Sequence, residues 1–228
     1  MNIQIDITEN GTTTLATAGK YCDRNIDVNV NVGGEDVIAK LVQGTIEGEF
    51  VSEEVTKLRL GAFSSCENLT RISLPNCTTM NLGTRVFYNC AKLYSLELPK
   101  LETITDGSYT FSGVRVIKEI NLPSLTKITN MVAFFQNCQQ IPTIKLPLLG
   151  GTTIGNTCFD NNYRLNTLVL GGDTLNPLGS TNAFRNAGSY SSEGLSIYVP
   201  DNLVDAYKSA TNWVAMADKI KPMSELEE

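Results

Sequence analysis

The residues that could carry chemistry in this chain are its cysteines and aspartates, because the sequence contains no histidine. Histidine is the commonest general base in enzymes, a frequent zinc ligand and the usual partner of a serine or cysteine nucleophile. Its absence removes most familiar hydrolase mechanisms. We therefore predict no catalytic residue, no metal site and no cofactor, and we expect the protein not to be an enzyme.

Six cysteines could form three disulfides, but the spacing of three of them favours another explanation. Cys66, Cys90 and Cys138 fall at one position of a repeat, where other repeats carry Val114 and Asn162. A position shared with valine favours buried free thiols that act as small hydrophobic side chains. Cys66 and Cys90 would lie on adjacent strands about 5 Å apart, so a disulfide between them is geometrically conceivable but not required.

Aspartates and glycine pairs complete the set of residues with potential chemistry. Asp106, Asp160 and Asp173 lie near turns of the repeat, where aspartate commonly hydrogen-bonds the local backbone. A calcium site requires several oxygen ligands at defined offsets, and the sequence contains no such cluster. Glycine pairs such as 150–151 and 171–172 lack the context of a phosphate-binding motif, so we attribute them to turn geometry.

The elements that would position these residues follow a period of 24 residues. The dipeptide Leu-Pro recurs at this step, beginning at residues 74, 98, 122 and 146, and Leu170 continues the series before Gly171. Phenylalanine recurs in step at residues 63, 87, 111, 135 and 159, and then slips by one residue to Phe184. A period of this length indicates one supersecondary unit per repeat.

This period predicts a solenoid, in which each repeat covers its apolar face only by stacking on its neighbours. Aliphatic side chains at alternate positions are typical of a strand with one buried face, and the proline that follows ends the strand. Phenylalanine and cysteine would fill the opposite wall. We predict a right-handed stack of parallel strands, adjacent in chain order and centred on Ile72, Leu96, Ile120, Ile144 and Leu168.

The repeat pattern AFxxCxxLxxIxLPxLxxI resembles the BspA-like leucine-rich repeats of the bacterial surface-antigen type, over about residues 44–200. The segments GTIEGEFVSEEVTKLRLGAF and IYVPDNLVDAYKSATNWVAMADKIKP resemble the entry repeat and the closing segment of the same group. Together with GKYCDRNIDVNVNV, they are similar to proteins encoded in bacteriophage and prophage tail regions of gut-type bacteria. The resemblance implies a leucine-rich-repeat parallel β-sheet and a binding or structural role without catalysis.

Four segments follow from these patterns. We expect an N-terminal β module over residues 1–32, a hinge at 33–40, the repeat solenoid over 41–200, and a C-terminal capping helix and tail over 201–228. The N-terminal module has a strand-like alternation but is too short for a core of its own, so we predict that it mediates attachment or self-association. Its sequence lacks the basic start and apolar block of a secretory signal, and no apolar run in the chain is long enough to span a bilayer.

Charge and surface pattern limit the partners. A net charge of −6 and a pI near 4.8 disfavour nucleic acid, because lysine and arginine supply most of the affinity for phosphate. The outward positions of the predicted sheet vary in charge and size between repeats, which suits recognition; the alternative is a face that serves only solubility. The candidate partner-binding residues are Arg71, Ser73, Tyr94, Ser95, Glu97, Lys118, Glu119, Asn121, Thr143, Lys145 and Thr167.

Two functions fit these observations. The first is a phage or prophage virion or tail protein whose solenoid contacts a host surface, while residues 1–32 contact other virion proteins. The second is a bacterial surface or secreted adhesin. In either case we expect a protein or a cell-surface glycan as the ligand, no membrane insertion, and a location on the phage particle or the bacterial cell surface. Homo-oligomer formation is left open.

Overall fold

The computed structural model describes residues 48–227 with their side chains, and residues 3–9 and 12–18 as backbone. Strands β1 (Ile3–Glu9) and β2 (Thr12–Ala18) form an antiparallel pair. The strand expected at 26–32 and the hinge expected at 33–40 lie outside the described residues.

The front of the repeat region is built from parallel strands of successive repeats, extended by one strand of the C-terminal segment. A three-stranded sheet has the order β3-β5-β7, and a five-stranded sheet has the order β9-β11-β12-β13-β14. We call these the front sheets; their strands are β3 (Gly48–Val51), β5 (Leu69–Ser73), β7 (Ser95–Glu97), β9 (Glu119–Asn121), β11 (Thr143–Leu146), β12 (Thr167–Leu170), β13 (Ser196–Val199) and β14 (Ile220–Pro222). Ile72 lies opposite Leu96, and Ile144 lies between Ile120 and Leu168.

The front strands do not form the one continuous sheet that the repeat predicts, because β7 and β9 are not paired. We expected Leu96 and Ile120 on hydrogen-bonded neighbours, and this expectation was wrong. Each of the two strands carries a glutamate that forms an ion pair within its own sheet. Glu97 pairs with Arg71, and Glu119 pairs with Lys145. The two ion pairs thus tie β7 and β9 to their own sheets, on opposite sides of the break.

A second parallel sheet, which the sequence analysis did not anticipate, keeps the repeats together across that break. Thr103 pairs with Lys127 in this back sheet, whose order is β4-β6-β8-β10. Its strands are β4 (Lys57–Arg59), β6 (Thr79–Asn81), β8 (Thr103–Ile104) and β10 (Lys127–Ile128). Strands of two or three residues are too short to give a clear alternation in the sequence.

The core between front and back contains the phenylalanine column. Rings of successive repeats stack with centroids 5.0–5.6 Å apart and interplanar angles below 20°, in the order Phe63, Phe87, Phe111, Phe135, Phe159 and Phe184. Offset stacking of this kind adds to the energy of burying each ring. The slip from a 24-residue to a 25-residue step before Phe184 therefore preserves the stack.

The cysteines among the described residues are buried and form no disulfide with one another. Cys90 donates its S–H to the carbonyl of Phe63, and Cys138 donates to that of Phe111, both at 3.1 Å. Burial raises the pKa of the Cys77 and Cys138 thiols to about 12. These thiols are therefore protonated at neutral pH and serve as small core residues, and Cys90 and Cys138 also bond the preceding repeat.

Tight turns follow the phenylalanines. The residue two positions after each phenylalanine has a positive φ, between 56° and 80°, at Ser65, Asn89, Gly113, Asn137, Asn161 and Asn186. Asparagine and glycine tolerate this left-handed conformation best. Asn161 donates to Asn137, and Asn186 donates to Asn161, each at 2.9 Å. The asparagines thus link consecutive turns as well as permitting them.

The C-terminal segment is less helical than the capping helix predicted for residues 201–228. It contains the 3-10 turn Asp201–Leu203, helix α1 (Val204–Ser209), the 3-10 helix Trp213–Lys219, strand β14 and the 3-10 turn Met223–Glu225; a further 3-10 turn, Thr181–Phe184, lies before it. A regular helix cannot continue past Ala210, which is extended, or Asn212, whose φ is 64°. Trp213 is buried against Phe184, with ring centroids 5.6 Å apart.

Candidate functional site

The candidate binding residues divide between the two front sheets. The strand registers bring Arg71 opposite Ser95 in one sheet, and bring Thr143 between Glu119 and Thr167 in the other. Tyr94 and Lys118 directly precede the strands on either side of the break. The eleven predicted residues thus form two neighbouring groups and not one uninterrupted ladder.

The first group is organised by one arginine. The Arg71 guanidinium lies 3.4 Å from Glu49 and 3.2 Å from Glu97, and Ser73 donates to Glu97 at 2.6 Å. The hydrogen bonds from Ser73 and Arg71 hold the pKa of Glu97 below its ordinary value, and Glu97 raises the pKa of Arg71. Ser73 itself is buried, so it positions Glu97 and offers little of its own surface to a ligand.

The second group carries one ion pair and several uncharged groups. Lys145 lies 3.1 Å from Glu119. Lys118 and Asn121 are exposed, whereas Thr143 and Thr167 are half-buried. The charges of Lys145 and Glu119 offset each other, so this sheet offers hydrogen-bonding groups together with the exposed Lys118 near the break.

Tyr94 is the aromatic member of the candidate set, and it is 55 % exposed. Its backbone N–H donates to Thr70 at 2.9 Å, which fixes the start of β7 to the preceding repeat. Exposed tyrosines on a rigid backbone are frequent anchors of binding interfaces, because they bury a large area at a small entropic cost. An aromatic ring beside ion-paired side chains therefore suits molecular recognition.

Other chemistry is not assembled in the part of the chain that the structure describes. Within residues 48–227, no group of three or more cysteine, aspartate or glutamate side chains is placed to hold a metal ion. No helix among the described residues is long and apolar enough to cross a membrane.

The residues of these repeats match a known family over most of their length. Residues 46–166 and 127–210 match the BspA type leucine rich repeat region, in six copies. The chain belongs to the BspA-type leucine-rich repeat family. No curated protein matches this BspA-type chain.

Among solved structures, this BspA-type protein is similar to a leucine rich cell surface protein from Faecalibacterium prausnitzii. The two are 14 % identical, with a TM-score of 0.48, and the match covers 86 % of this chain and 54 % of the other. The chain thus spans about half the length of that protein.

Sequence analysis missed an aromatic cluster on the turns of this BspA-type protein. The Arg85 guanidinium lies 5.7 Å from the ring centroid of Tyr88 and 5.4 Å from that of Tyr109. Tyr88 is partly exposed. The signal in the sequence was Tyr88, which directly follows Phe87 at a position where other repeats carry small or polar residues.

Asp160 has a different role from the local turn bonding that we expected of it. Its carboxylate is fully buried and accepts two hydrogen bonds from Arg185, at 2.9 and 2.7 Å, and one from Gln136 at 3.3 Å. Burial alone would raise the pKa of Asp160, but the hydrogen bonds from Arg185 and Gln136 outweigh it and lower the pKa. The ion pair thus joins the repeats that contain residues 136, 160 and 185.

This ion pair predicts a pH-dependent stability. Because the pKa of Asp160 is lower in the folded chain, its stabilising effect is present above the ordinary aspartate pKa of about 4 and is lost as the pH falls through the folded value. We expect Asp160→Asn to lower the urea midpoint clearly at pH 7, and we expect the difference from the wild type to shrink toward pH 3. Asp173→Asn, at an exposed position, is the control; a difference for Asp160→Asn that stays constant across this range would contradict the assignment.

Proposed function

We propose that this BspA-type protein is a non-enzymatic binding protein that recognises a protein or a cell-surface glycan through the outward residues of its front sheets. The supporting observation is the contrast between the buried columns, which repeat one residue type, and the outward columns, which vary from repeat to repeat. This variable surface carries the ion pairs of Arg71 and Lys145 and an exposed aromatic ring, Tyr94. Such a combination of an anchor and a polar rim is typical of binding surfaces.

Binding to whole cells of gut-type bacteria and to purified surface glycans tests this proposal. We expect Tyr94→Ala to weaken binding at least about ten-fold, since truncation of an interface anchor commonly costs more than 1 kcal/mol. Tyr190→Ala is the matched control, because Tyr190 is 73 % exposed and lies on the loop before β13. The measurement is a titration of labelled protein. Equal losses for both variants, or no loss for either, would argue against the front sheets as the binding surface.

The proposed setting is the tail or virion of a phage or prophage, which the resemblance of the N-terminal segment supports. In that setting the front sheets contact the host, and the protein is found on the particle. The alternative is a bacterial surface or secreted adhesin. Mass spectrometry of purified particles, compared with the surface fraction of the bacterial cells, distinguishes the two locations.

We further propose that residues 1–32 attach the protein to other virion proteins or to further copies of itself. Among the described residues, the sheet of this segment consists of the antiparallel pair β1-β2, and an isolated pair of this kind is marginally stable in water. We expect light scattering to show association of the full chain, and a monomer for a chain that begins at Asp36. If both are monomeric, and the shorter chain still joins the particle or partner, the anchoring role is wrong and the repeats carry the contact.

The fold proposed for this function is one solenoid of 24-residue rungs. The 24-residue register within the front sheets supports it, as does the pairing of β8 with β10 across the break between β7 and β9. The rings of Phe87 and Phe111, which belong to the repeats on either side of this break, also stack with their centroids 5.2 Å apart.

A further inference from the structure

A cleft of about 690 Å³ opens in the back of the molecule, at the point where the back sheet ends. Residues 126–132, which include β10, form one wall, and residues 150–153 with Gly155 form the other. Thr126, Lys127, Thr129 and Thr153 are exposed there. The cleft is on the back sheet and shares no residue with the front-sheet candidate set.

The cleft arises from a shift of two residues within the repeat. The buried aliphatic residue of the back stands six positions after the leucine of Leu-Pro in three repeats, at Met80, Ile104 and Ile128. In the next repeat it stands eight positions after that leucine, at Ile154, and the same is true of Leu178. Ile154 accordingly pairs with Leu178 and not with Ile128. The back sheet therefore stops at β10 although the length of the repeat is unchanged.

The backbone of residues 151–152 forms its hydrogen bonds with the following repeat. Gly151 donates its N–H to Thr174 at 3.1 Å, and Thr152 donates to the Asn176 side chain at 3.0 Å. A Cβ on Gly172 would lie 2.3 Å from the nitrogen of Gly150. The glycine pairs thus permit a close approach between the backbones of these repeats. We had attributed these pairs to turn geometry, which does not account for this contact.

This rearrangement leaves backbone groups without partners along the cleft. In earlier repeats the corresponding groups are bonded: Thr105 donates to Met80, and Thr129 donates to Ile104, both at 2.9 Å. Within residues 48–227, no hydrogen bond reaches the carbonyl oxygens of Thr126 and Ile128, and none leaves the amides of Met131 and Thr153. The wall of residues 126–132 therefore offers mainly acceptors, and the wall of residues 150–155 offers a donor.

We propose that this cleft binds an extended polypeptide segment of a partner, which adds as a strand to the free edge of β10. A peptide backbone carries donors and acceptors on both edges, so it can satisfy both walls at once. The lining supplies glycine and threonine, which allow a backbone to approach closely, and it contains no aromatic ring on which a planar ligand could stack. Lys127 is the one charged side chain in the lining, so recognition rests on main-chain hydrogen bonds.

Selection from a displayed library of seven-residue peptides, on the full chain, tests this proposal. We expect peptides that bind the wild type and lose at least ten-fold in affinity on Thr153→Trp, which fills the cleft. Thr211→Trp is the control, because Thr211 is exposed and lies between α1 and the 3-10 helix that begins at Trp213. N-methylation of alternate residues of a selected peptide is expected to abolish binding, because it removes the donors of one edge.

Amide hydrogen exchange of the wild-type protein, with and without a selected peptide, locates the binding site without any variant. A bound peptide is expected to slow the exchange of the Met131 and Thr153 amides. Binding that survives N-methylation at every position, or a selection that yields no peptide sensitive to Thr153→Trp, would overturn the proposal. Protection confined to the front strands would also overturn it, and would support the front sheets as the binding surface instead.

Discussion

Replacing Phe111 by alanine is expected to lower the free energy of unfolding by about 3–5 kcal/mol, the usual range for a buried phenylalanine. The Phe111 ring is fully buried, and its centroid lies 5.2–5.4 Å from those of Phe87, Phe134 and Phe135. Removal of the ring interrupts the stack in the middle of the molecule, where neighbours on both sides prevent collapse of the cavity. Urea denaturation monitored by circular dichroism gives the value.

Glu119→Ala is the control for this loss, since it lies on the outward side of a front strand. Its ion pair with Lys145 is about 40 % exposed on both sides, and exposed pairs of this kind contribute little. We expect a change near 0.5 kcal/mol. Comparable losses for Phe111→Ala and Glu119→Ala would mean that the inward and outward faces have been exchanged.

The buried columns were predictable because each repeats one residue type at a fixed step. Ile72, Ile120 and Leu168 are fully buried or nearly so, at the centres of front strands as expected. The break in the front sheet was not predictable in the same way. Glu97 pairs with Arg71 and Glu119 pairs with Lys145, each within its own sheet, and a repeating sequence pattern contains no information about where the hydrogen bonding between repeats stops.

The C-terminal segment and the back cleft show a second limit on prediction from the sequence. Apolar residues at helical spacing after Asp201 include Tyr207 and Trp213, which are buried, and Val214, which is 63 % exposed. This spacing does not reveal β14, since Ile220 pairs with Ile197 through a contact between distant parts of the chain. The shift that opens the back cleft was visible in the positions of Ile128 and Ile154, but its meaning required the hydrogen bonds.

The exposure of each candidate binding residue could not be predicted from the sequence alone. Alternation correctly places Asn121 on the surface, and Tyr94 and Lys118, which directly precede their strands, are exposed as well. It also marked Ser73, which is buried beside Glu97. A short side chain at an outward position can be covered by longer neighbours, and a pattern of alternating residues contains no information about that coverage.

Deletion of residues 99–122, one complete repeat, is expected to leave a cooperatively folded protein. Each repeat of a solenoid contacts only its neighbours, so removing 24 residues brings equivalent columns into contact. The deletion removes Glu119 and places Lys145 on the repeat next to Glu97. We therefore expect the front strands to pair across the junction, and the urea m-value to fall by roughly a tenth in proportion to the area lost.

Deletion of residues 99–110, half a repeat, is expected to destroy the fold, because every following column is then out of phase with those before the junction. Thermal unfolding of the two shortened chains, followed by circular dichroism, is the most direct test that each 24-residue unit is one interchangeable layer of the proposed solenoid. The account predicts a single sharp transition for the 24-residue deletion and none for the 12-residue deletion. Loss of the transition in both chains, or its survival in both, would contradict it.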